Sequence, residues 1–280
     1  MKSIKSYPVV LSIAGSDSSG GAGIQADLKT FSALGVYGAT AITAVTAQNT
    51  VGVHAQCALP PQMVYDQIVA VVDDLHPSVV KIGMLSNSEI VCAVADALGR
   101  YALPVVLDPV IVSSSGHRLL SEEAVDVIKE KLLPMSILTT PNIPEMEALT
   151  GMQISTDSTK SDAARHLLSY GVKATLLKGG HEEGEVKRDL LFQTHGDALS
   201  VEEFSTETIP TRNIHGTGCT LSSAIAALLA RGLGLSEAVA EGKRFITEAL
   251  RAGADVAIGQ GYGPVNHGFN PLKMLTYEAR

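Results

Sequence analysis

The sequence predicts an α/β protein in which a mostly parallel sheet is covered by helices on both faces. Short apolar runs alternate along the chain with stretches of helical periodicity, which is typical of repeated strand–helix units. The runs are nearly continuous in apolar residues rather than alternating with polar ones. This pattern is expected of strands whose two faces are both buried.

Six apolar runs are predicted to form the strands of this sheet. Each one ends in glycine, proline or polar residues, which are the residue types that terminate strands. The predicted strands cover residues 9–15, 39–47, 78–84, 104–109, 136–141 and 173–180.

Helices are predicted between and after these strands. In 21–34, apolar residues recur three or four positions apart from Ile24 to Leu34, and Gly35 follows as a helix-ending residue. A similar stripe occupies 62–75. The polar region 181–213 is predicted to form a short β-ribbon and loops. We find no repeat or linker, so residues 1–280 are expected to form a single domain.

Two further helix patterns follow this ribbon, at 217–231 and 235–256. Both lie at the end of the chain, beyond the last predicted strand. They complete the set of helices that would cover the sheet.

Composition narrows the function classes. The 280 residues carry a formal net charge of −8, and a general nucleic-acid binder would normally show a basic face. Cys57, Cys92 and Cys219 fit neither a disulfide framework nor a zinc pattern. The N-terminus lacks the apolar segment of a signal peptide, and no uncharged apolar stretch reaches about 18 residues. We therefore expect a cytoplasmic protein that binds neither nucleic acid nor a membrane.

Polar residues are placed where the predicted strands end. Gln48, Asp108, Asn142 and Lys178 each stand at or just after the carboxyl end of a strand. In open α/β sheets, ligands bind outside this edge. The alternative is that strands simply end in turn residues. A lysine at the end of a buried strand also needs an anionic partner, either a phosphate or a structural carboxylate.

The first glycine-rich segment, "GSDSSGGAGIQAD" at 15–27, contains a G-x-G-x-x-A pattern after a strand. A dinucleotide-binding fold would also need an acidic residue about 20 positions later to hold the ribose. The second strand instead ends in Gln48 and Asn49. The pattern therefore argues weakly for a dehydrogenase, and the absence of G-x-x-x-x-G-K-[ST] argues against a P-loop.

The second glycine-rich segment, "HGTGCT" at 215–220, leads directly into a predicted helix. Unpaired backbone N–H groups at a helix start, with the positive end of the helix dipole, form an anion hole. Cys219 would lie in the first helical turn, where we expect its pKa to be lowered. The alternative is a helix cap with a buried structural cysteine.

The chain resembles the hydroxymethylpyrimidine/phosphomethylpyrimidine kinases of thiamine biosynthesis, within the ribokinase-like superfamily. The resemblance runs from about residue 9 to 267. It implies a three-layer α/β/α sandwich, ATP and Mg²⁺ as cofactors, and phosphorylation of a primary alcohol. Seven motifs carry it, in this order: "AGSDSSGGAGIQADLKTFSALGVYG", "AVTAQNT", "KIGML", "VVLDPV", "TPNIPE", "LKGGH" and "HGTGCT".

The resemblance implies roles for the phosphate side of the site. Gly216, Thr217 and Gly218 would form the anion hole for the transferred phosphoryl group, and Cys219 would be the base. Thr217, with Lys178 and Asn142, would contact the phosphates of ATP. Asp108 and Glu145 would hold the Mg²⁺, through water. For Glu145 the alternative is a carboxylate that only stabilises the start of a helix.

On the substrate side, the resemblance makes Gln48 the residue that reads the pyrimidine, because an amide pairs with a ring nitrogen and an exocyclic amine together. Met84 and Val110 would line the ring pocket. Gly15 and Asp27 would also contact the alcohol substrate.

Two other functions stay open from the sequence. A pyridoxal kinase of the same group carries a similar anion-hole loop, although its pocket tends to lack the glutamine that stands here as Gln48. A non-catalytic pyrimidine-binding protein is the alternative from another class. We also expect the protein to act on a small molecule as a homodimer.

Overall fold

A computed structural model describes residues 4–112, 119–180, 184–196 and 198–278. Its central feature is a sheet of nine strands, flanked by a separate pair of two-residue strands that join the two ends of the chain. The strands are β1 (Lys5–Ser6), β2 (Val9–Asp17), β3 (Tyr37–Gln48), β4 (Val53–Ala58), β5 (Val79–Ile82), β6 (Val105–Leu107), β7 (Ser136–Thr139), β8 (Ala174–Leu177), β9 (Val186–His195), β10 (Ala198–Glu207) and β11 (Tyr277–Glu278).

The nine strands lie in the order β10-β9-β8-β7-β6-β5-β2-β3-β4. The six predicted runs form the six neighbouring parallel strands, from β8 to β3. Antiparallel strands occupy both edges: β4 beside β3, and the predicted ribbon of β9 and β10 beside β8. The prediction of a mostly parallel sheet is confirmed. The sequence did not reveal β4, because this edge strand is largely exposed and carries no apolar run.

Helices cover both faces of the sheet, as predicted. They are α1 (Gly23–Ala33), α2 (Pro61–Leu75), α3 (Ser88–Leu98), α4 (Glu122–Val127), α5 (Ile143–Thr150), α6 (Asp157–Ser169), α7 (Thr217–Ala230) and α8 (Leu235–Ala252). A π-helical turn and a 3-10 turn continue α4, at Ile128–Leu132 and Leu133–Met135.

Two apolar cores lie on opposite sides of the sheet. One packs α2 to α6 against one face, and the other packs α1, α7 and α8 against the other face. Helix α7 is buried almost all round, because the sheet lies on one side of it and α8 on the other. Its small residues, such as Ala224 and Ala226, allow this close approach. None of the helices in the described ranges is long and apolar enough to cross a bilayer.

The strand order changes direction between β2 and β5. The chain leaves β2 towards β3 on one side, and it returns to place β5 on the other side. The helices that follow these strands, α1 and α3, accordingly lie on opposite faces. A crevice opens outside the carboxyl ends of two strands at such a point, and ligands bind there.

Candidate active site

A cavity of about 440 Å³ lies at the carboxyl edge of the sheet. It is lined by almost every residue that the sequence singled out. These residues are Gly15, Gln48, Met84, Asp108, Val110, Asn142, Glu145, Lys178, Gly216, Thr217, Gly218 and Cys219. Asp27 is the exception.

The prediction that Asp27 contacts the substrate is corrected by the structure. Its side chain is inaccessible to solvent and does not line the cavity. It accepts hydrogen bonds from Ser12 and Ser223, each at 2.6 Å, and forms an ion pair of 2.9 Å with Lys81. Asp27 therefore belongs to a buried charge cluster beneath the cavity.

The second glycine-rich segment begins α7, as its sequence predicted. Gly216 is the N-cap residue, with φ of 77°, and no side chain in the described residues caps this helix start. The Thr217 N–H donates to the carbonyl of Ile214 at 3.3 Å, which leaves the N–H groups of Gly218 and Cys219, without an acceptor inside the helix, to bind an anion. A Cβ atom placed on Gly218 would lie 3.3 Å from Lys178 Nζ and 3.7 Å from Asp108 Oδ2. The loop thus meets the ends of β6 and β8, where an anion would be held between backbone N–H groups and a lysine.

The two glycine-rich segments pack directly against each other. A Cβ atom on Gly216 would collide with the backbone carbonyl of Gly21, and one on Gly21 would collide with the ring of His215. Asp17 Oδ2 also lies 2.9 Å from His215 Nε2. The first segment therefore holds the loop that begins α7, although the sequence offered it chiefly as a weak dinucleotide motif.

Cys219 is half-buried at the start of α7, and the backbone N–H of Gly23 donates a hydrogen bond to its sulfur. The sequence predicted a lowered thiol pKa, and this is wrong. Burial raises the pKa of Cys219 to about 11, although the nearby Lys81 ammonium opposes the shift. A helix N-terminus stabilises a negative charge by about 0.3–1 kcal/mol, and the loss of hydration at a buried site exceeds that.

Lys178, Asp108 and Glu145 form a charged cluster on the floor of the cavity. Lys178 Nζ lies 2.8 Å from Asp108 Oδ1 and 3.7 Å from Glu145 Oε2. Burial alone would lower the pKa of Lys178, but the two carboxylates raise it, so the ammonium stays charged. Burial alone would raise the pKa of Asp108, but Lys178 lowers it below its ordinary value. The structural ion pair predicted as one alternative for Lys178 is present, and the lysine still faces the cavity.

Glu145 stabilises a helix start, which was the alternative interpretation of this residue, and its carboxylate also faces the cavity. It forms a capping box with Asn142 at the start of α5, with hydrogen bonds of 2.8 Å in both directions. It also lines the cavity, where burial raises its pKa to about 7. The cap fixes the carboxylate in place beside Asp108 and Lys178.

The donor set at this floor fits Mg²⁺. In the described ranges, no group of three or more His, Cys, Asp or Glu residues could hold a metal ion by itself. Mg²⁺ keeps several waters and is bound by one or two carboxylates together with substrate phosphates. Asp108 and Glu145, two carboxylates beside a phosphate-sized anion hole, match that requirement.

The opposite end of the cavity is apolar, with one amide at its margin. Met84 and Val110 belong to a small apolar cluster, and a Cβ atom on Gly15 would lie 2.7 Å from the sulfur of Met84. Gln48 lies beside them, with its side-chain amide 3.3 Å from His215 Nε2 and 3.1 Å from Thr46 Oγ1. This end can accept a small, flat ring that carries polar groups on one edge.

Sequence reasoning assigned no role to several charged residues of the site. Lys81, Asp17 and His215 all lay inside quoted motifs. The signal for Lys81 was a cation within the apolar run "SVVKIGM", where an unpaired charge would be costly. A second buried pair, Lys243 with Asp189 at 2.7 Å, lines the cavity on the side of β9 and α8.

Comparisons with known proteins agree with this geometry. A family model described as phosphomethylpyrimidine kinase matches residues 17–266. A hydroxymethylpyrimidine/phosphomethylpyrimidine kinase of Rhizobium meliloti is 50% identical over 260 residues, which cover 92% of this chain and 96% of that protein. The crystal structure of a phosphomethylpyrimidine kinase from Clostridium difficile is 44% identical, with a TM-score of 0.75 over 87% of this chain and 99% of that chain. An ADP complex of Bacillus subtilis pyridoxal kinase is 35% identical, with a TM-score of 0.84 over 94% of this chain and 98% of that chain.

Proposed function

The chain belongs to the phosphomethylpyrimidine kinase family, and from this we propose that it transfers the γ-phosphoryl group of ATP to hydroxymethylpyrimidine in thiamine biosynthesis. It also phosphorylates the resulting monophosphate. The observation that carries the proposal is a single cavity with Gln48 at one end and the uncapped start of α7, with Cys219, at the other.

The substrate lies in the apolar end of the cavity. Its ring packs against Met84 and Val110, and the absence of a side chain at Gly15 leaves room for it. The amide of Gln48 pairs with the ring nitrogen and the exocyclic amine together, since it offers a donor and an acceptor side by side. The hydroxymethyl group then points towards Cys219.

The phosphoryl group is transferred above the start of α7. Phosphoryl transfer passes through a loose transition state, so positioning and charge neutralisation matter more than a strong base. The N–H groups from Gly216 to Cys219 and the ammonium of Lys178 face the oxygens of the phosphoryl group during its transfer. Thr217 and Asn142 contact the phosphates of ATP from the two sides of the cavity.

Asp108 and Glu145 would hold Mg²⁺ through water, and the ion would supply positive charge beside the β- and γ-phosphates. Asp108 is kept ionised by Lys178, so it remains available as a ligand. Lys178 in turn exchanges part of its carboxylate contact for a phosphate when ATP binds.

Cys219 accepts the proton of the substrate hydroxyl as the new P–O bond forms. Because its thiol pKa is about 11, the base is a minor thiolate population of high basicity. Its support comes from the Gly23 N–H and from the Lys81 ammonium behind it. The monophosphate step needs no such base, because the acceptor there is an ionised phosphate oxygen.

We further propose that residues 1–280 form one kinase domain that acts as a cytoplasmic homodimer on a small-molecule substrate. A pyridoxal kinase remains the second candidate, favoured by the likeness to the Bacillus subtilis enzyme. Gln48 argues for the pyrimidine, because its amide matches an aminopyrimidine edge. A non-catalytic binder would not need an uncapped anion hole beside two carboxylates and a lysine.

An ATP-coupled assay with Mg²⁺ tests this proposal. Hydroxymethylpyrimidine, its monophosphate and pyridoxal are offered in parallel to the purified protein. Turnover of both pyrimidines is expected, with slower use of pyridoxal. Rapid turnover of pyridoxal without turnover of either pyrimidine would overturn the assignment.

A further inference from the structure

Asp17 is the centre of a hydrogen-bond network that joins both glycine-rich segments. Its carboxylate accepts from the backbone N–H groups of Ser19, Gly21 and Ala22, at 2.8, 3.1 and 2.8 Å. It also lies 2.9 Å from Nε2 of His215, a residue 198 positions away in the chain. Both side chains are nearly buried. The geometry therefore fixes one ring nitrogen of His215 against a carboxylate.

The charge of Asp17 determines where the proton of His215 lies. Burial alone would raise the pKa of Asp17, but hydrogen bonds from His215, Ser19 and Ala22 lower it to about 2. An ionised carboxylate only accepts hydrogen bonds. Nε2 of His215 must therefore carry a hydrogen and donate it to Asp17.

This hydrogen also constrains Gln48. The amide nitrogen and oxygen of a glutamine are told apart by the hydrogen-bond network around them. A ring nitrogen that already carries hydrogen cannot accept from an amide N–H at 3.3 Å. An amide nitrogen there would set two donors against each other, so the group of Gln48 that faces His215 is its oxygen, which shares the Nε2 hydrogen with Asp17, and its NH₂ group faces Thr46.

The hydroxyl of Thr46 is compatible with the same orientation. Its oxygen lies 3.0 Å from the backbone carbonyl of Ser16, which can only accept. When the single hydroxyl hydrogen goes to Ser16, the Thr46 oxygen can accept from the NH₂ group of the turned Gln48 amide, across the 3.1 Å contact between the two side chains. In this arrangement the His215 ring N–H, the Gln48 NH₂ group and the Thr46 hydroxyl each point at an acceptor, as the members of a buried polar network should.

We propose that Asp17, acting through His215, is the positioning residue that sets the direction of the Gln48 amide and thereby the choice of ring edge. The inference rests on the proposed function, in which Gln48 reads the substrate. With its oxygen held on the His215 side, the amide matches an amine next to an unprotonated ring nitrogen. A ring that carries a carbonyl next to a ring N–H presents the reversed pattern and is rejected.

The first test determines directly whether Nε2 of the His215 ring carries a hydrogen. Nitrogen-15 spectra of the full chain, labelled in its eight histidines, are assigned for His215 by loss of a signal in His215→Phe. A hydrogen on Nε2 is expected, and it should stay there across neutral pH. An unprotonated Nε2 would overturn the proposal, whatever the enzyme binds.

The second test measures discrimination. Calorimetry compares hydroxymethylpyrimidine with its oxo analogue, in which a carbonyl and a ring N–H replace the amine and the ring nitrogen. The wild type is expected to prefer the amine by about 100-fold or more, because the reversed pattern leaves buried polar groups unpaired. Asp17→Asn and His215→Phe should each reduce this ratio by about tenfold or more.

His267→Phe is the matched control. His267 is as buried as His215, and its Nε2 lies 3.0 Å from Thr220 Oγ1, but in the described structure it has no hydrogen bond to Gln48. If His267→Phe lowers the preference for the amine as much as Asp17→Asn and His215→Phe do, then Asp17 and His215 have only a structural role. A wild type that binds neither pyrimidine would contradict the proposed function, and the nitrogen spectra would still decide the proposal.

Discussion

Lys81 and Asp27 form a fully buried ion pair of 2.9 Å, one helical turn beneath Cys219. Asp27 lies four residues after Gly23 on α1, and Ser223 lies four residues after Cys219 on α7. The Gly23 N–H bonds the sulfur of Cys219 at the upper level, and Ser223 bonds Asp27 at the lower level. The two helix starts are therefore joined side by side, with a buried cation behind the thiol.

Lys81→Met should strongly destabilise the protein. The substitution leaves the carboxylate of Asp27 buried without its cation, which typically costs about 3–5 kcal/mol. Urea unfolding measures the loss of free energy. The double variant Lys81→Met/Asp27→Asn should recover a large part of it, because the uncompensated charge is gone. A double variant less stable than Lys81→Met would show that the unpaired charge of Asp27 is not the cause of the lost stability.

The thiol of Cys219 should react slowly near neutral pH. Because burial raises its pKa to about 11, its alkylation rate should still be rising about tenfold per pH unit at pH 9. Cys57 is exposed and provides the internal comparison. Mass spectrometry after iodoacetamide treatment follows both sites in one sample. If the alkylation rate of Cys219 levels off below pH 8, its thiol pKa is lowered, as its place at a helix start had led us to expect, and not raised.

Cys219→Ala should separate the two phosphorylation steps. Loss of a positioned base lowers kcat by about 10²–10⁴ for the alcohol. Phosphorylation of the monophosphate should be affected far less, because its acceptor oxygen carries no proton to remove. Single-turnover assays with each acceptor measure the two rates. Binding of ATP should persist, since the backbone N–H groups of the loop remain.

Cys219→Asp tests the same role through pH. In the wild type, alcohol phosphorylation should rise with pH up to about 10, since the active base is the thiolate of a group whose pKa is about 11. An aspartate is already ionised over this range, so the variant should show a nearly flat profile. A flat wild-type profile, with near-normal transfer in Cys219→Ala, would leave the loop as an anion hole without a base.

The site residues that sequence reasoning found share a simple property. Gln48, Asp108 and Lys178 stand at the ends of apolar runs, and parallel strands bring such ends to one edge. The roles of Lys81 and Asp17 depend on partners 54 and 198 residues away, so local pattern could not pair them. The thiol pKa was misjudged because the sequence shows the helix start beneath Cys219 but not the protein that surrounds it.

Gln48→Met should weaken pyrimidine use more than ATP binding. The substitution removes one side of the pair that we propose between the amide and the ring edge, which costs about 1–3 kcal/mol, or one to two orders of magnitude in kcat/KM. Pyridoxal should suffer less, because its ring lacks the matching edge. Steady-state assays with both substrates give the two ratios. An equal loss for both would make Gln48 a structural residue of the strand end.

Gly216→Ala should disable the anion hole, and Gly151→Ala is its matched control. Both glycines are left-handed, with φ of 77° and 71° and the same ψ of 9°. Either alanine therefore carries the same backbone penalty, about 1–2 kcal/mol. At Gly151 no other described residue lies within 4 Å of an added Cβ, whereas at Gly216 the added Cβ meets the carbonyl of Gly21.

The difference between the two variants isolates this contact. Gly216→Ala should lower both Tm and kcat, because the first glycine segment must move away from the start of α7 and the phosphoryl-binding N–H groups move with it. Gly151→Ala should lower Tm slightly and leave kcat unchanged. Equal effects on kcat would mean that the interlocking of the two loops does not hold the anion hole in place.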